Sequence, residues 1–146
     1  MKEAKPFTIV LADDDADDRL LAAEALEEAR IANPVRFVRD GEELMKFLRN
    51  EAEPRPGLVL LDLNMPRKDG REALAEIKSD PALRDIAVVV LTTSQAEEDI
   101  AQVNSLGAQD FISKPVTFDG LVEVMRTLTR FGVEFVSTPE APTLEG

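Results

Sequence analysis

The chain has 146 residues, a length that suits one domain with a core of its own. Its 29 acidic and 17 basic residues give a net charge of −12, which disfavours binding to nucleic acid or to an anionic membrane because like charges repel. Cysteine and histidine are both absent, which excludes disulfides, thiol and histidine catalysis and zinc sites, so any metal must be held by oxygen.

Apolar runs alternate along the chain with amphipathic stretches, a pattern typical of a parallel sheet covered by helices. It predicts strands near Phe7–Ala12, Val35–Arg39, Leu58–Asp62, Ala87–Thr92 and Asp110–Ser113. It predicts helices near Ala16–Ile31, Glu42–Asn50, Arg71–Ser79, Ala96–Leu106 and Phe118–Phe131. We therefore expect an α/β domain over residues 1–136 and a loose C-terminal tail over residues 137–146.

Residues that end helices or form loops stand between these elements. Asn33-Pro34 and Asp80-Pro81 are expected to close the first and third helices, because proline disfavours helix in the residue before it. Ser94 followed by Glu97 predicts a capping box for the fourth helix, and residues 54–57 predict a loop. No apolar run approaches the length of a signal-peptide core or a membrane span, so we expect a soluble, cytoplasmic protein.

Carboxylates directly follow two of the apolar strands. Asp13 and Asp14 come after the first strand, and Asp62 comes at the end of the third. Ligands of open α/β sheets bind at the carboxyl ends of the strands, and carboxylates that meet there repel one another unless a cation lies between them. The sequence therefore indicates a shared divalent cation, and one of these carboxylates is a candidate nucleophile.

Two further polar groups stand at strand ends. Thr92 ends the fourth strand and Lys114 follows the fifth, so a strand order of 2-1-3-4-5 would bring both of them to the carboxylates. A cation and an ammonium group can neutralise phosphoryl oxygens, a hydroxyl can bind one, and a carboxylate can attack phosphorus. This combination favours phosphoryl transfer to an aspartate.

The chain resembles, from about Phe7 to Phe131, the receiver domains of bacterial two-component response regulators. The matching segments are Asp13-Asp14, Leu61-Asp62-Leu63-Asn64-Met65-Pro66 with Gly70, Leu91-Thr92-Thr93 and Lys114-Pro115. The resemblance implies a doubly wound, five-stranded parallel sheet of order 2-1-3-4-5 flanked by five helices. It also implies a phosphoacceptor signalling protein, not an enzyme, whose only catalysis is its own phosphotransfer and slow autodephosphorylation.

The resemblance also implies roles for individual residues. Asp62 would be the phosphoacceptor. Mg²⁺, or Mn²⁺ in its place, would be bound by Asp14, Asp62 and the backbone carbonyl of Asn64, with Asp13 held through water. Lys114 would pair with the phosphoryl oxygens, and the Lys114-Pro115 peptide would be cis. Thr92 would sense the phosphate, with Phe111 as the aromatic switch residue, where many receivers carry tyrosine or histidine.

A narrower resemblance is to single-domain regulators that are paired with phytochrome-type histidine kinases. It is carried by residues 62–72, by residues 88–94 and by the apolar segment 131–136. It implies a sensor histidine kinase as the partner. The apolar positions of the last helix spread over roughly 180°, wider than one sheet face needs, and Val133, Phe135 and Val136 extend them. We therefore expect a homodimer through helix five and the apolar C-terminal segment 131–136.

Other interpretations remain open at this point. Asp15 is expected to cap the first helix, with Asp17 and Asp18 complementing its dipole and having no catalytic role. Arg67 and Lys68 are expected to form a solvated loop. An aspartyl phosphatase would need an acid where Asn64 stands. The alternatives to a switch are a phosphorelay intermediate, which passes the phosphoryl group onward, and a phosphorylation-independent scaffold.

Overall fold

Five parallel strands form one sheet in the order β2-β1-β3-β4-β5, as the resemblance implied. The computed structural model describes residues 6–93 and 97–136. The strands are β1 (Thr8–Ala12), β2 (Val35–Val38), β3 (Pro56–Leu61), β4 (Ala87–Thr92) and β5 (Asp110–Ser113). The helices are α1 (Ala16–Glu28), α2 (Gly41–Arg49), α3 (Gly70–Ser79), α4 (Glu97–Ser105) and α5 (Phe118–Thr127), with a 3₁₀ turn at Leu128–Phe131.

The sheet is covered on both faces, which explains the nearly continuous apolar runs of its central strands. On one face α1 and α5 pack through Ala25, Leu26, Val122 and Met125. On the other face, side chains of α2, α3 and α4 form a second buried cluster around Leu74. The result is a three-layer α/β fold whose strands end together at one edge.

The first helix is shorter than predicted. It ends at Glu28 and not at Ile31, because Arg30 adopts a left-handed conformation with φ 63°. Asn33 and Pro34 therefore do not close it. Ile31 instead makes an antiparallel bridge with Phe135.

The loop predicted over residues 54–57 is also shorter, because Pro56 and Gly57 are the first residues of β3. Proline is tolerated as the first residue of a strand, since it lacks only the N–H that would donate to the sheet. Asp80 caps the end of α3 as predicted. Ser94, half of the predicted capping box, lies outside the described residues, and so does the predicted loose tail 137–146.

The apolar positions of α5 are mostly used inside the domain. Val122, Met125 and Leu128 are buried, and so is Val133 beyond the helix. Asn33 fixes the segment that follows, because its side-chain oxygen accepts the N–H of residue 134 at 2.8 Å. Within the described residues, no helix has the length and apolar character needed to cross a bilayer.

Candidate functional site

The carboxyl ends of β1, β3, β4 and β5 lie side by side, and their backbones are fixed to one another. The N–H of Asp13 donates to β2 at 3.0 Å, that of Asp62 to β1 at 3.0 Å, and that of Lys114 to β4 at 2.8 Å. Each bond continues the sheet just beyond the strand. The three side chains are thus held at the sheet edge by rigid elements.

Asp13, Asp14 and Asp62 form the acidic cluster that the sequence predicted. Each offers an oxygen within 4.8 Å of the others. Asp13 and Asp62 are buried and Asp14 is exposed, so the cluster opens to solvent on one side only. Carboxylate oxygens in this number and spacing suit a hard divalent cation such as Mg²⁺ or Mn²⁺, which would also remove their mutual repulsion.

Lys114 reaches into the same cluster. Its Nζ lies 2.6 Å from Asp13 Oδ2, 3.1 Å from Asp62 Oδ2 and 3.1 Å from Asp18 Oδ2. Burial alone would lower the pKa of this ammonium, but its hydrogen bond to Asp13 and the charge of Asp62 outweigh burial and raise it. Burial raises the pKa of the Asp13 carboxyl despite the hydrogen bond from Lys114. Lys114 is therefore firmly cationic, among more negative charge than it can neutralise.

Both oxygens of Asp62 accept hydrogen bonds. Oδ2 is bound by Lys114, while Oδ1 accepts from Thr92 Oγ1 at 2.8 Å and from the Asn64 N–H at 3.1 Å. Thr92 is completely buried at the end of β4. Thr92 and Lys114 thus contact different oxygens of the Asp62 carboxylate, and the Asn64 N–H shares the oxygen that Thr92 contacts.

Gly70 holds the β3–α3 connection close to Asp62. A Cβ at this position would lie 2.3 Å from the Asp62 carbonyl oxygen and 2.7 Å from Leu63 Cα, both of them backbone atoms. The Gly70 N–H also donates to the Leu63 carbonyl at 3.0 Å. Only glycine permits this approach, which keeps the turn after Asp62 tight.

Arg67, predicted to be part of a solvated loop, is anchored instead. Its Nε donates to Asp40 Oδ2 at 2.9 Å, although the arginine side chain is largely exposed. Burial opposes ionisation of Asp40, but the N–H of Glu43 and the guanidinium of Arg67 outweigh it and lower the pKa of this carboxyl. Lys68 is anchored as well, with Nζ 2.7 Å from Glu76 Oε1. The loop that carries Asn64 is therefore tied to α2 and α3.

Phe111, the predicted switch residue, lies in β5 beside Val90 of β4. It is half-buried and packs against the cluster formed by α2, α3 and α4. The expected cis peptide between Lys114 and Pro115 is wrong: the peptide is trans. Trans is the lower-energy form even before proline, by about 0.5–1 kcal/mol, and Lys114 reaches the carboxylates without a cis bond.

Asp18 is the site residue that sequence reasoning missed. Asp15 caps α1 as predicted, by accepting the N–H groups of Asp17 and Asp18. Asp18 nevertheless also contacts Lys114. The signal available in the sequence was its place in the first turn of a helix that begins just after β1, where a side chain can lean over the sheet edge.

A pocket of about 80 Å³ opens beside the carboxylates, between α1 and α5. Asp13, Asp18, Asp62 and Lys114 give it a charged part, and the rest of its lining is apolar. Leu21, which lines it, is 43% exposed. Leu20 precedes Leu21 on α1 and is 58% exposed, and Val116 follows the lining residue Pro115 and is fully exposed. The opening therefore has charged groups and exposed apolar side chains close together.

This fold and this site define a receiver, and comparison with known families agrees. Residues 9–126 match the model of the response regulator receiver domain. The chain belongs to this family. It is a phosphoacceptor signalling protein of two-component systems and not a conventional enzyme.

The relatives are similarly informative. The chain is 40% identical to the response regulator Rcp1 of Synechocystis over 140 residues, which cover 93% of this chain and 95% of that protein. The crystal structure of the Mn²⁺-bound form of Rcp1 matches with a TM-score of 0.80, covering 92% of this chain and 99% of that one. The phosphorylated cyanobacterial phytochrome response regulator RcpA matches with a TM-score of 0.80 at 41% identity, covering 90% and 99%.

Proposed function

We propose that Asp62 accepts a phosphoryl group from a sensor histidine kinase and that the modified domain switches its protein contacts. The observation that carries this proposal is the set of donors around one carboxylate: Lys114, Thr92 and the Asn64 N–H. An Asp62 oxygen attacks phosphorus, the phosphorus–nitrogen bond of the phosphohistidine breaks, and its electron pair stays on the imidazole, which takes a proton. Lys114 and Thr92 then bind the phosphoryl oxygens.

The acidic cluster would hold Mg²⁺, or Mn²⁺ in its place, through Asp14, Asp62 and the Asn64 carbonyl, with Asp13 held through water. The spacing of the three carboxylates supports this assignment, and so does the likeness to an Mn²⁺-bound relative. When bound, the cation supplies positive charge that lets an anionic donor approach an anionic site. The chain's own residues supply the nucleophile and the orientation.

Thr92 and Phe111 would carry the signal away from the site. The Thr92 hydroxyl already donates to Asp62, so binding a phosphoryl oxygen would require it to move. Phe111 is half-buried in the neighbouring strand and packs against the cluster formed by α2, α3 and α4. This pairing supports a switch over the scaffold, which would need no link between Asp62 and the surface. A phosphorelay intermediate would instead transfer the phosphoryl group from Asp62 to a histidine of a second protein.

The exposed apolar side chains near the site support a protein partner. A phosphohistidine on a large protein must dock around the opening, where Leu20, Leu21 and Val116 are exposed. The phytochrome-associated relative supports a kinase of the phytochrome type. The net charge of −12 supports an absence of nucleic-acid and membrane binding. We place this exchange in the cytoplasm.

A homodimer through α5 and the C-terminal segment is also part of this proposal. Most of the α5 positions pack inside the domain, but Phe135 and Val136 are 48% and 42% exposed and could be buried by a second copy. Replacing both Phe135 and Val136 with lysine should then yield a folded monomer, which light scattering would detect. Leu20→Lys, which adds charge to an exposed apolar residue elsewhere, should leave the dimer intact. A monomeric wild type would refute the dimer.

The central test is chemical labelling. Acetyl phosphate with Mg²⁺ should add one phosphoryl group to the wild type, detected by intact mass, and none to Asp62→Asn. Labelling should fail with a chelator and should decay slowly by autodephosphorylation. Equal labelling of the variant would refute the assignment of Asp62. Rapid turnover of a small phosphoester would instead favour a phosphatase.

A further inference from the structure

The ammonium of Lys114 is shared among three carboxylates, one of which lies on a helix. Asp13 and Asp62 contact it from strand ends, at 2.6 and 3.1 Å. Asp18 contacts it from the first turn of α1, at 3.1 Å, with 41% of its own side chain exposed. An ammonium group has three N–H donors, so these three contacts use all of them.

The three partners differ in what a bound cation would do to them. Asp13 and Asp62 belong to the acidic cluster that suits a divalent ion, whereas Asp18 does not. A cation between the clustered carboxylates takes up their negative charge and repels the neighbouring ammonium. Asp18 is then the carboxylate partner of Lys114 whose charge stays available.

We propose that Asp18 is a positioning residue that holds the Lys114 ammonium at the mouth of the site when a divalent cation occupies the acidic cluster. The inference rests on the proposed function, because Lys114 acts there on phosphoryl oxygens. With one N–H bound by Asp18, the other two become available to the incoming group once the cation occupies the cluster. Asp18 competes with Asp13 and Asp62 for the ammonium, so it also eases entry of the cation.

A neighbouring residue separates this role from a general effect of charge. Asp17 and Asp18 occupy the same turn of α1, and both N–H groups donate to Asp15 Oδ1, at 2.8 and 3.3 Å. They interact alike with the helix dipole. Of the two, Asp18 alone contacts Lys114 among the described residues. Asp17→Asn is therefore a matched control for Asp18→Asn.

The experiment compares wild type, Asp17→Asn, Asp18→Asn and Asp18→Glu. Mn²⁺ affinity is measured by electron paramagnetic resonance, and labelling of Asp62 by acetyl phosphate is timed at saturating Mg²⁺. Relative to Asp17→Asn, we expect Asp18→Asn to bind Mn²⁺ about tenfold more weakly and to be labelled about tenfold more slowly, at the low end for residues that orient metal-site side chains. Asp18→Glu keeps the carboxylate and should recover most of both losses.

Every outcome decides the inference. Equal values for the two asparagine variants would overturn it. Weaker Mn²⁺ binding with an unchanged labelling rate would also overturn it, because that pattern reflects charge at the mouth and not the position of Lys114. If wild type and Asp17→Asn failed to be labelled, the proposed function would fall and the inference with it. If both were labelled and Asp18→Asn matched Asp17→Asn, the inference alone would fall. Circular dichroism of all four proteins verifies that they are folded.

Discussion

Replacing Lys114 with methionine should show how strongly the fold depends on one cation. Methionine keeps an unbranched apolar stem but removes the ammonium that lies 2.6 Å from Asp13 and 3.1 Å from Asp62. Both carboxylates are buried. Without metal, the substitution leaves two buried negative charges with no cationic side chain between them.

The expected loss in the metal-free domain is about 3–5 kcal/mol of unfolding free energy, the usual cost of removing one partner from a buried ion pair. The lower end is the better estimate, because burial raises the pKa of Asp13, so that this carboxylate can be neutralised by taking up a proton. Asp18 is partly exposed and adds little to the loss. Saturating Mg²⁺ should reduce the difference to about 1 kcal/mol, since the ion replaces the missing charge and only hydrogen bonds are lost.

Urea unfolding followed by circular dichroism, with and without Mg²⁺, measures both values; the chain has no tryptophan or tyrosine for fluorescence. Lys78→Met is the matched control. The Lys78 ammonium donates to the carbonyls of Arg84 and Ile86, at 3.0 and 2.9 Å, away from the site. Its loss should not depend on Mg²⁺. If the Lys114→Met loss were also the same in both conditions, the reasoning about shared charge would be refuted.

Three further outcomes are expected. Gly70→Ala should destabilise the domain by about 1–3 kcal/mol and weaken Mg²⁺ binding, because the alanine Cβ would overlap the Asp62 carbonyl. Calorimetry measures the Mg²⁺ affinity, and an unchanged affinity would contradict this expectation. Asp40→Asn keeps the helix cap but weakens the contact with Arg67, so it should cost about 1 kcal/mol at pH 7. In the folded protein the pKa of Asp40 lies below its usual value of 3.8. The difference in unfolding free energy between wild type and Asp40→Asn should therefore persist above pH 3.8 and vanish as the pH falls through the pKa of the folded state. Urea unfolding at a series of pH values measures it. Leu74→Ala, at a fully buried position, should cost about 2–5 kcal/mol without altering Mg²⁺ affinity in the folded protein.

The sequence was sufficient for the strands and for the residues at their carboxyl ends, because both depend on local patterns, whereas the strand order came from the resemblance to receiver domains. Runs such as the one before Asp62 are long and apolar, and their alternation with helices leaves few arrangements of the strands. Boundaries that depend on backbone conformation were less accessible. Nothing local marks Arg30 as left-handed, and its conformation fits a bridge between Ile31 and Phe135, which are far apart in the chain.

Contacts of long, charged side chains were the least predictable part of the site. Asp18 and Lys114 are 96 positions apart, and whether they meet depends on how α1 is rotated over the sheet. The same holds for Arg67 and Asp40, which are 27 positions apart. For helix five, a broad apolar arc suggested a partner surface, and three of its positions, Val122, Met125 and Leu128, are buried inside the domain. A dimer through the positions that stay partly exposed remains a prediction.

The site combines rigid backbone with unbalanced charge, and this combination suits a switch. The sheet fixes the strand ends, so the surplus negative charge of the metal-free site cannot relax by spreading the carboxylates apart. This surplus charge can be reduced only by binding a cation, by taking up a proton, or by movement of the groups that bind Asp62. Two of those groups, Lys114 and Thr92, follow or end the neighbouring strands β5 and β4. If Asp62 is phosphorylated as proposed, we expect the new charge to act first on β4 and β5, and on the helices that Phe111 packs against.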